Sequence, residues 1–570
     1  MRIALLVLLG AMAYGAPPFP DRVKQVIETN ARLENGSYQT IAARLALRRD
    51  PEWCSRLLLE LLREPTGDMF WMFPVTAIAY LDRGQLTPEA RTSLRGAWKT
   101  YMPYRGDTEN HWLLYYSTLY LMAQKYPNEP GESWFTGKTS RENFAEAESY
   151  LYHWMNLTVT AGQGEYDCTH YLGVYVLPLS YLAAWAEDPR MRSAAERMLE
   201  WIMADFAVET LDGLYVGAHA RTDDVQVLEK WNGVSSDLAW ILFGTGYPLP
   251  GFSYYGFFYC VARAYEPPEV IVRIATDRSA PYTHREMKRT RHRWRFNDVR
   301  NGPVYKTTYM TRDYAVGSDQ GGILQPIQQH RWDVTWALED PRGKRNTIFS
   351  LHPNSSVHEL QTYFTGMPDF LTEAVVRSKK SYDSPDKFLG GSPYEEVMQD
   401  RDTLIALYNI PEGARFPHIN GFFPEDLDRF EEHASGWIFA QGGRAYIAYR
   451  PLAPYTWAVV AGGGRRLVSP HLRNGTILQV AAVSEFASFE EFKAKVAALP
   501  LEVRMAPVPS VHFRSLRGAA LSFTFGQARD FRAWKPFDSP FMESERGSRR
   551  LTLRHGALRR VVDLSDLPGR

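Results

Sequence analysis

A change of hydrophobic period near residue 290 constrains the fold of this 570-residue chain more than any other feature. From about residue 20 to 285, apolar residues recur at spacings of three and four, as amphipathic helices require. Segments 41–62, 68–80, 88–101, 110–126, 141–159, 166–186 and 190–208 each carry that pattern. Turns such as Asp82-Arg83-Gly84 and Glu187-Asp188-Pro189 separate them, and connections this short join antiparallel neighbours. With no fixed-period repeat in the sequence, the pattern predicts a ring or incomplete toroid of irregular hairpins rather than a regular array. Pro178, inside the 166–186 segment, is expected to bend or shorten that helix.

Beyond residue 290 the apolar runs are short, β-branched or aromatic, and bounded by Gly, Pro and Asp; examples are 304–310, 314–317, 403–408, 445–449 and 457–461. Such runs predict an antiparallel β-sandwich, interrupted by short helices at 424–432 and 488–498. The expected fold class is therefore multidomain α+β: an N-terminal all-α (α/α) toroid over 17–287, then an antiparallel β-sandwich over 288–570. The basic run Lys288-Arg289-Thr290-Arg291-His292-Arg293-Trp294-Arg295 falls at the junction. It reads as a solvated linker, or as arginines that receive an acidic polymer between the domains.

The first residues read as a secretory signal peptide over 1–16: Met1-Arg2, an apolar run from Ile3 to Met12, and a small-residue end at Ala13-Tyr14-Gly15-Ala16. The apolar run falls short of the roughly 20 residues that span a bilayer, and no later segment reaches that length. The mature chain is thus expected to be secreted or periplasmic, without a membrane anchor. Lys+Arg and Asp+Glu both total 65, so nucleic acid is not an expected partner. Cys54, Cys168 and Cys260 are too few and too scattered for a disulfide scaffold or a paired-cysteine zinc site. No metal or cofactor is expected.

Two helix entrances hold the chemistry. Thr108-Glu109-Asn110-His111-Trp112 opens one apolar helical pattern, and Gly164-Glu165-Tyr166-Asp167-Cys168-Thr169-His170-Tyr171 opens another. On a helix Tyr166 and His170 would share a face one turn apart, whereas Asn110 and His111 point about 100° apart. The bland alternatives are an N-cap at Asp107 or Thr108 and a satisfied Tyr/His pair in the core. A third run, Gly217-Ala218-His219-Ala220-Arg221-Thr222-Asp223-Asp224, also precedes a helix. Aromatics make up 14% of the chain, with Trp71 and Trp112 placed to stack on sugar rings. In the β half, the polar run 318–332 ends in His330, Arg331 and Trp332, and His330 and Arg331 are candidates to hold substrate carboxylates.

Amide, imidazole, phenol and guanidinium groups are what β-elimination on a uronic acid requires. The proton beside the carboxylate becomes removable once that charge is neutralised, and an acid must then protonate the leaving oxygen. A secreted helical toroid followed by a β-sandwich, with Asn110, His111, Tyr166, His170, Tyr171 and Arg221 in the helical half, resembles the toroid-type polysaccharide lyases, including the heparinase II/III-like and alginate lyase families. The likeness covers the order of parts over the whole chain. It implies Asn110 and Arg221 as carboxylate neutralisers, His170 or His111 as base or neutraliser, and Tyr166 or Tyr171 as acid. His219, His330 and Arg331 would bind an acidic polysaccharide. The Arg does not follow the Tyr closely, as it does in hyaluronate lyases. Two other readings compete: a glycoside hydrolase using a carboxylate pair from Glu109, Glu165, Asp167, Asp223 and Asp224, and a glycan-binding protein without turnover.

Overall fold

The computed structural model of the chain describes residues 16–63, 69–101, 104, 106–262, 265–290, 302–321, 328–355, 357 and 368–568. The expected leader lies outside the described residues apart from Ala16. So do residues 291–295 of the basic run and 322–327 of the polar run.

The first half is helical. In chain order the helices are α1 (Phe19–Ala31), α2 (Tyr38–Ala46), α3 (Pro51–Leu61), α4 (Met72–Leu81), α5 (Pro88–Thr100), α6 (Glu109–Lys125), α7 (Ser140–Ala161), α8 (Leu172–Trp185), α9 (Pro189–Val208), α10 (Asp224–Leu228), α11 (Val234–Phe243), α12 (Tyr254–Val261) and α13 (Glu269–Thr276). Local chemistry sets many of the starts. Thr139 and Glu142 form a reciprocal capping box on α7, and Thr87, Thr108 and Ser253 cap α5, α6 and α12. The expected single helix over 41–62 is two helices, because Arg48 and Asp50 take left-handed backbone conformations (φ 55° and 49°) and Pro51 restarts the chain.

Helix α6 is buried on every side from Glu109 to Ala123, and α8 from Leu172 to Leu182, so these two form the centre of the helical layer. Helix α6 contacts α7 and α8, and α8 contacts α9 and α12. Helix α1 contacts α11 and α12, bringing the first helix against late ones. Helix α8 runs through Pro178 but begins at Leu172 rather than at residue 166.

The strands are β1 (Thr210–Leu211), β2 (Leu214–Tyr215), β3 (His219–Ala220), β4 (Tyr282–Arg289), β5 (Pro303–Met310), β6 (Tyr314–Gly321), β7 (Gln329–His330), β8 (Trp332–Trp336), β9 (Thr347–Leu351), β10 (Glu395–Asp400), β11 (Thr403–Asn409), β12 (Ile419–Phe423), β13 (Arg429–Glu432), β14 (Ile438–Gly442), β15 (Ala445–Pro451), β16 (Thr456–Val459), β17 (Arg465–Ser469), β18 (Arg473–Ala482), β19 (Leu501–Arg504), β20 (Ser510–Arg514), β21 (Ala520–Thr524), β22 (Phe537–Asp538), β23 (Met542–Ser544), β24 (Arg550–His555) and β25 (Leu558–Asp563). Among the described residues a twelve-stranded sheet runs β16-β17-β12-β9-β8-β6-β5-β4-β22-β23-β24-β25, and a six-stranded sheet runs β10-β11-β18-β15-β14-β13. The pairings within both are antiparallel.

Val334, Phe349 and Phe422 of the larger sheet share one core with Leu404, Ile447 and Leu478 of the smaller. On the other side of the smaller sheet, α15 (Phe489–Ala497), which follows α14 (Asp369–Ser378) among the described residues, buries Phe492 against Phe439, with Phe513 in the same core. The helix expected at 424–432 is absent: residues 429–432 pair as strand β13 with β14.

The two halves are tightly joined. The sheet begins at Tyr282, ahead of the expected boundary at 287, and the last strands return to the helices, where Phe537 packs on Trp201 and Arg560 pairs with Glu200. Strand β3 of the helical half pairs with β7, opposing His219 to His330. Gly217 lies so close to Gly317 of β6 that a Cβ on Gly317 would overlap the Gly217 backbone. Lys288 and Arg289 are buried strand residues rather than solvated linker.

Candidate active site

The entrances to α6 and α8 interlock. Thr108 caps α6, and Glu109, in its first turn, accepts the backbone N–H groups of Gly164 (2.9 Å) and Glu165 (2.7 Å) and the indole N–H of Trp154 (2.9 Å). Arg289, reaching from β4, pairs with the same carboxylate. In return Glu165 accepts the Asn110 backbone N–H (3.1 Å), the Asn110 side-chain amide (2.6 Å) and the Tyr175 hydroxyl (3.2 Å). Its other oxygen faces Arg221 Nε at 3.1 Å. Two buried carboxylates thus fix the turn over residues 164–171.

Within that turn Asp167 takes a left-handed conformation (φ 50°), which prevents the helix from starting at Tyr166. The expected shared helical face for Tyr166 and His170 is therefore replaced by divergence. Tyr166 points inward, donating to Asp319 Oδ2 (2.7 Å) and accepting from Gln329 Nε2 (2.8 Å). His170 and Tyr171, the last two residues before α8, are half-buried.

Arg221, itself left-handed (φ 63°), donates to the Tyr171 hydroxyl at 3.1 Å and to Gln328, and its guanidinium lies 4.8 Å from the Tyr171 ring centre. His170 packs edge-on between Tyr171 (5.1 Å) and Tyr255 (5.4 Å). Burial lowers the His170 pKa, Asp223 opposes that, and Arg221 and Lys379 add to it. The imidazole is thus neutral at pH 7. Burial raises the Tyr171 pKa and Arg221 pulls it back, so the phenol keeps its proton. Asp224 beside them is pushed up to about 6 by burial and by Asp223. From the β half, Tyr382 lies in the field of Asp224, Asp223 and Arg221, and burial pushes its pKa up.

The remaining expected residues are buried and bound to internal partners. Asn110 is fully buried, with its amide turned onto Glu165 instead of outward. His111 is 8% exposed, and its Nδ1 accepts the Gly106 N–H at 2.8 Å. His219 donates from Nδ1 to the Asp167 carbonyl (2.6 Å) and accepts at Nε2 from Lys230 (3.3 Å). Lys230 also pairs with Asp333 (2.7 Å), which holds His330 (2.9 Å). Arg331 is tied to Asp319 at 3.1 Å.

The substrate-holding roles expected of His219, His330 and Arg331 are not supported: each is buried and spent on an internal partner. The same applies to the sugar platforms. Trp71 is buried edge-on to Trp98, and Trp112 is stacked on Tyr116 and bonded to Asp107. Tyr382, Gln328 and Lys379 were missed, because no sequence signal ties a β-half residue to a particular helix entrance.

An open groove of about 830 Å³ lies at the far end of α6, lined by Gln124, Asn128, Glu129, Arg141 and Asp188 among others. It carries no His or Tyr and is remote from these groups. No family model matches this sequence, and no curated protein aligns with it significantly.

Proposed function

We propose that this protein is a secreted polysaccharide lyase that cleaves uronic-acid polymers by β-elimination, with His170 as base and Tyr171 as acid. The observation that carries the reading is the half-buried His170–Tyr171 pair, backed by the Arg221 guanidinium 3.1 Å from the phenol oxygen. A neutral imidazole can take the proton beside the sugar carboxylate. A protonated phenol next to it can supply one to the leaving oxygen. Both states follow from the directions in which burial and charge move the two groups. Having both groups on one side suits removal and return of protons from one face of the ring.

Arg221 holds Tyr171 in place and balances Glu165. Its contacts all turn inward, to Glu165, Gln328 and Tyr171, so we assign neutralisation of the substrate carboxylate to Lys379, the half-buried cation whose field reaches His170 and Asp224. The helical half is read as an α/α toroid, supported by the contacts of α1 with α11 and α12. The β half is read as a sandwich, supported by the core shared between its two large sheets.

The pairings argue against a hydrolase. Glu109, Glu165 and Asp167 are bound to Arg289, Arg221 and two lysines respectively. Asp223 caps α10 through the Gln226 N–H at 3.0 Å. No opposed pair of free carboxylates remains among these five, as hydrolysis would need. The deciding experiment is a panel of uronic-acid polymers assayed in parallel for conjugated double bonds and for new reducing ends. Double-bond formation on at least one polymer is expected. New reducing ends without unsaturation would replace this reading with hydrolysis, and neither product would replace it with glycan binding.

A further inference from the structure

Strand β4 presents His284, Glu286 and Lys288 on one face, since alternate residues of a strand point the same way. Across from them stand Asp205 of α9, Glu209, Asp167 of the α8 entrance and Lys306 of β5. All seven are at most 3% exposed. Lys306 Nζ contacts Glu209 (2.7 Å), Glu286 (2.7 Å) and Asp167. Lys288 Nζ contacts Glu286 (2.9 Å), Asp167 (3.1 Å) and Asp205. Four carboxyl groups therefore face two ammonium groups, and two negative charges need an additional partner.

His284 points to what that partner is. Its ring lies against Phe537 (6.0 Å between centres, 24° between planes), and its Nδ1 has no hydrogen-bond partner. Its Nε2 sits 3.4 Å from Glu286 Oε2, a long contact that fails as a hydrogen bond. A fully buried imidazole in this state is unfavourable unless something binds it. One ligand atom each from Asp205, His284 and Glu286 lies within 4.8 Å of the other two.

We infer that Asp205, His284 and Glu286 form a binding site for one divalent transition-metal ion of the zinc class. One imidazole nitrogen and two carboxylate oxygens are a donor set that Zn²⁺ accepts. Two positive charges also close the deficit of the cluster. On binding, Asp205 and Glu286 each give an oxygen to the metal, while Lys288 keeps its contact with Asp167. The ion would clamp α9 to β4 where the helical and strand halves meet. The three ligands are distinct from His170 and Tyr171.

The test uses the full chain without an affinity tag, unfolded in denaturant with a chelator, refolded with or without Zn²⁺, dialysed, and assayed for bound zinc and melting temperature. About one zinc per chain and a higher melting temperature with zinc are expected. In His284→Gln the zinc content should fall below a tenth of an equivalent, whereas in His512→Gln, altered at an exposed strand position, it should be unchanged. Less than a tenth of an equivalent in the wild-type protein, or full loading of His284→Gln, overturns the site. If His284→Gln does not fold, zinc-edge X-ray absorption of the loaded wild type decides. Imidazole scattering with oxygen neighbours supports the assignment, and a shell without imidazole, or with sulfur, overturns it.

Discussion

Glu109 and Glu165 hold each other's turns: Glu109 accepts the backbone N–H of Glu165 at 2.7 Å, and Glu165 accepts that of Asn110, the residue after Glu109, at 3.1 Å. The clasp joins the start of α6 to the turn before α8 and places Arg221 against Glu165. Removing one carboxylate strands a buried cation, which typically destabilises by roughly 3–5 kcal/mol. Glu165→Ala should lose stability on that scale in urea unfolding. Glu165→Gln, which keeps an acceptor and a neutral partner for Asn110, should fall in between. A loss below about 1 kcal/mol for the alanine variant would mean that the clasp does not anchor the turn.

Tyr171 meets Arg221 through its hydroxyl and the helical core through its ring. Tyr171→Phe deletes only the hydroxyl that meets Arg221. Turnover of the polymer identified by the panel should therefore drop by about 10²–10⁴-fold, the usual range for removing a general acid. The melting temperature should hardly move. His170→Gln should lose a similar factor and also remove the acidic limb of the pH–rate profile, since that limb reports protonation of the imidazole base. An unchanged acidic limb would assign the base elsewhere.

The division into a helical and a strand-rich half was legible because period 3.6 and short β-branched runs differ over long windows, and α5, α7 and α9 fall close to their expected bounds. Local exceptions were not legible. At residues 166–171 the apolar pattern is continuous, but Asp167 is drawn to Lys288 and Lys306, which belong to strands more than a hundred positions away. At 424–432 the polar pattern imitates a helix, whereas pairing with β14 decides the outcome. The orientation of the candidate site residues was not legible for the same reason. The residue types at the two entrances drew attention to turns that Glu109 and Glu165 clasp together, but which side chains turn inward depends on partners such as Asp319 and Gln329 in the other half. The Asp205, His284 and Glu286 cluster left no spacing signature, because two of its groups are two apart on a strand and the third comes from a helix.

His352 gives a pH-dependent prediction with a definite sign. Its Nε2 donates to the Phe416 carbonyl at 2.8 Å and its Nδ1 accepts from Ser392 at 2.7 Å, and burial lowers its pKa from 6.5 to about 4. Above pH 6.5 the ring is neutral in both folded and unfolded chains. Between pH 6.5 and 4 the unfolded chain binds the proton first, so stability falls as pH falls, by at most ~1.4 kcal/mol per pH unit. His352→Gln cannot titrate. The stability advantage of the wild type over this variant should therefore shrink from pH 6.5 to pH 4 and stay constant above pH 7.5. Denaturant unfolding at several pH values measures it, and a pH-independent gap would contradict the assignment.

Two glycines separate close approach from simple chain entropy. Gly317 of β6 faces Gly217, whose φ is +89°, and a methyl group on Gly317 would meet the Gly217 backbone rather than a movable side chain. Gly317→Ala must push the helical half away from the sheet and should destabilise by about 1–3 kcal/mol, as overpacking commonly does. Gly96 lies within α5, and a methyl group there meets no atom within 4 Å. Gly96→Ala should instead stabilise by up to about 1 kcal/mol by restricting the unfolded chain and improving helix propensity. Opposite shifts in the urea midpoint are expected from these two one-carbon changes. A neutral Gly317→Ala would mean that the contact between β6 and the segment before β3 gives way freely, which is incompatible with the tight β3–β7 pairing of His219 with His330.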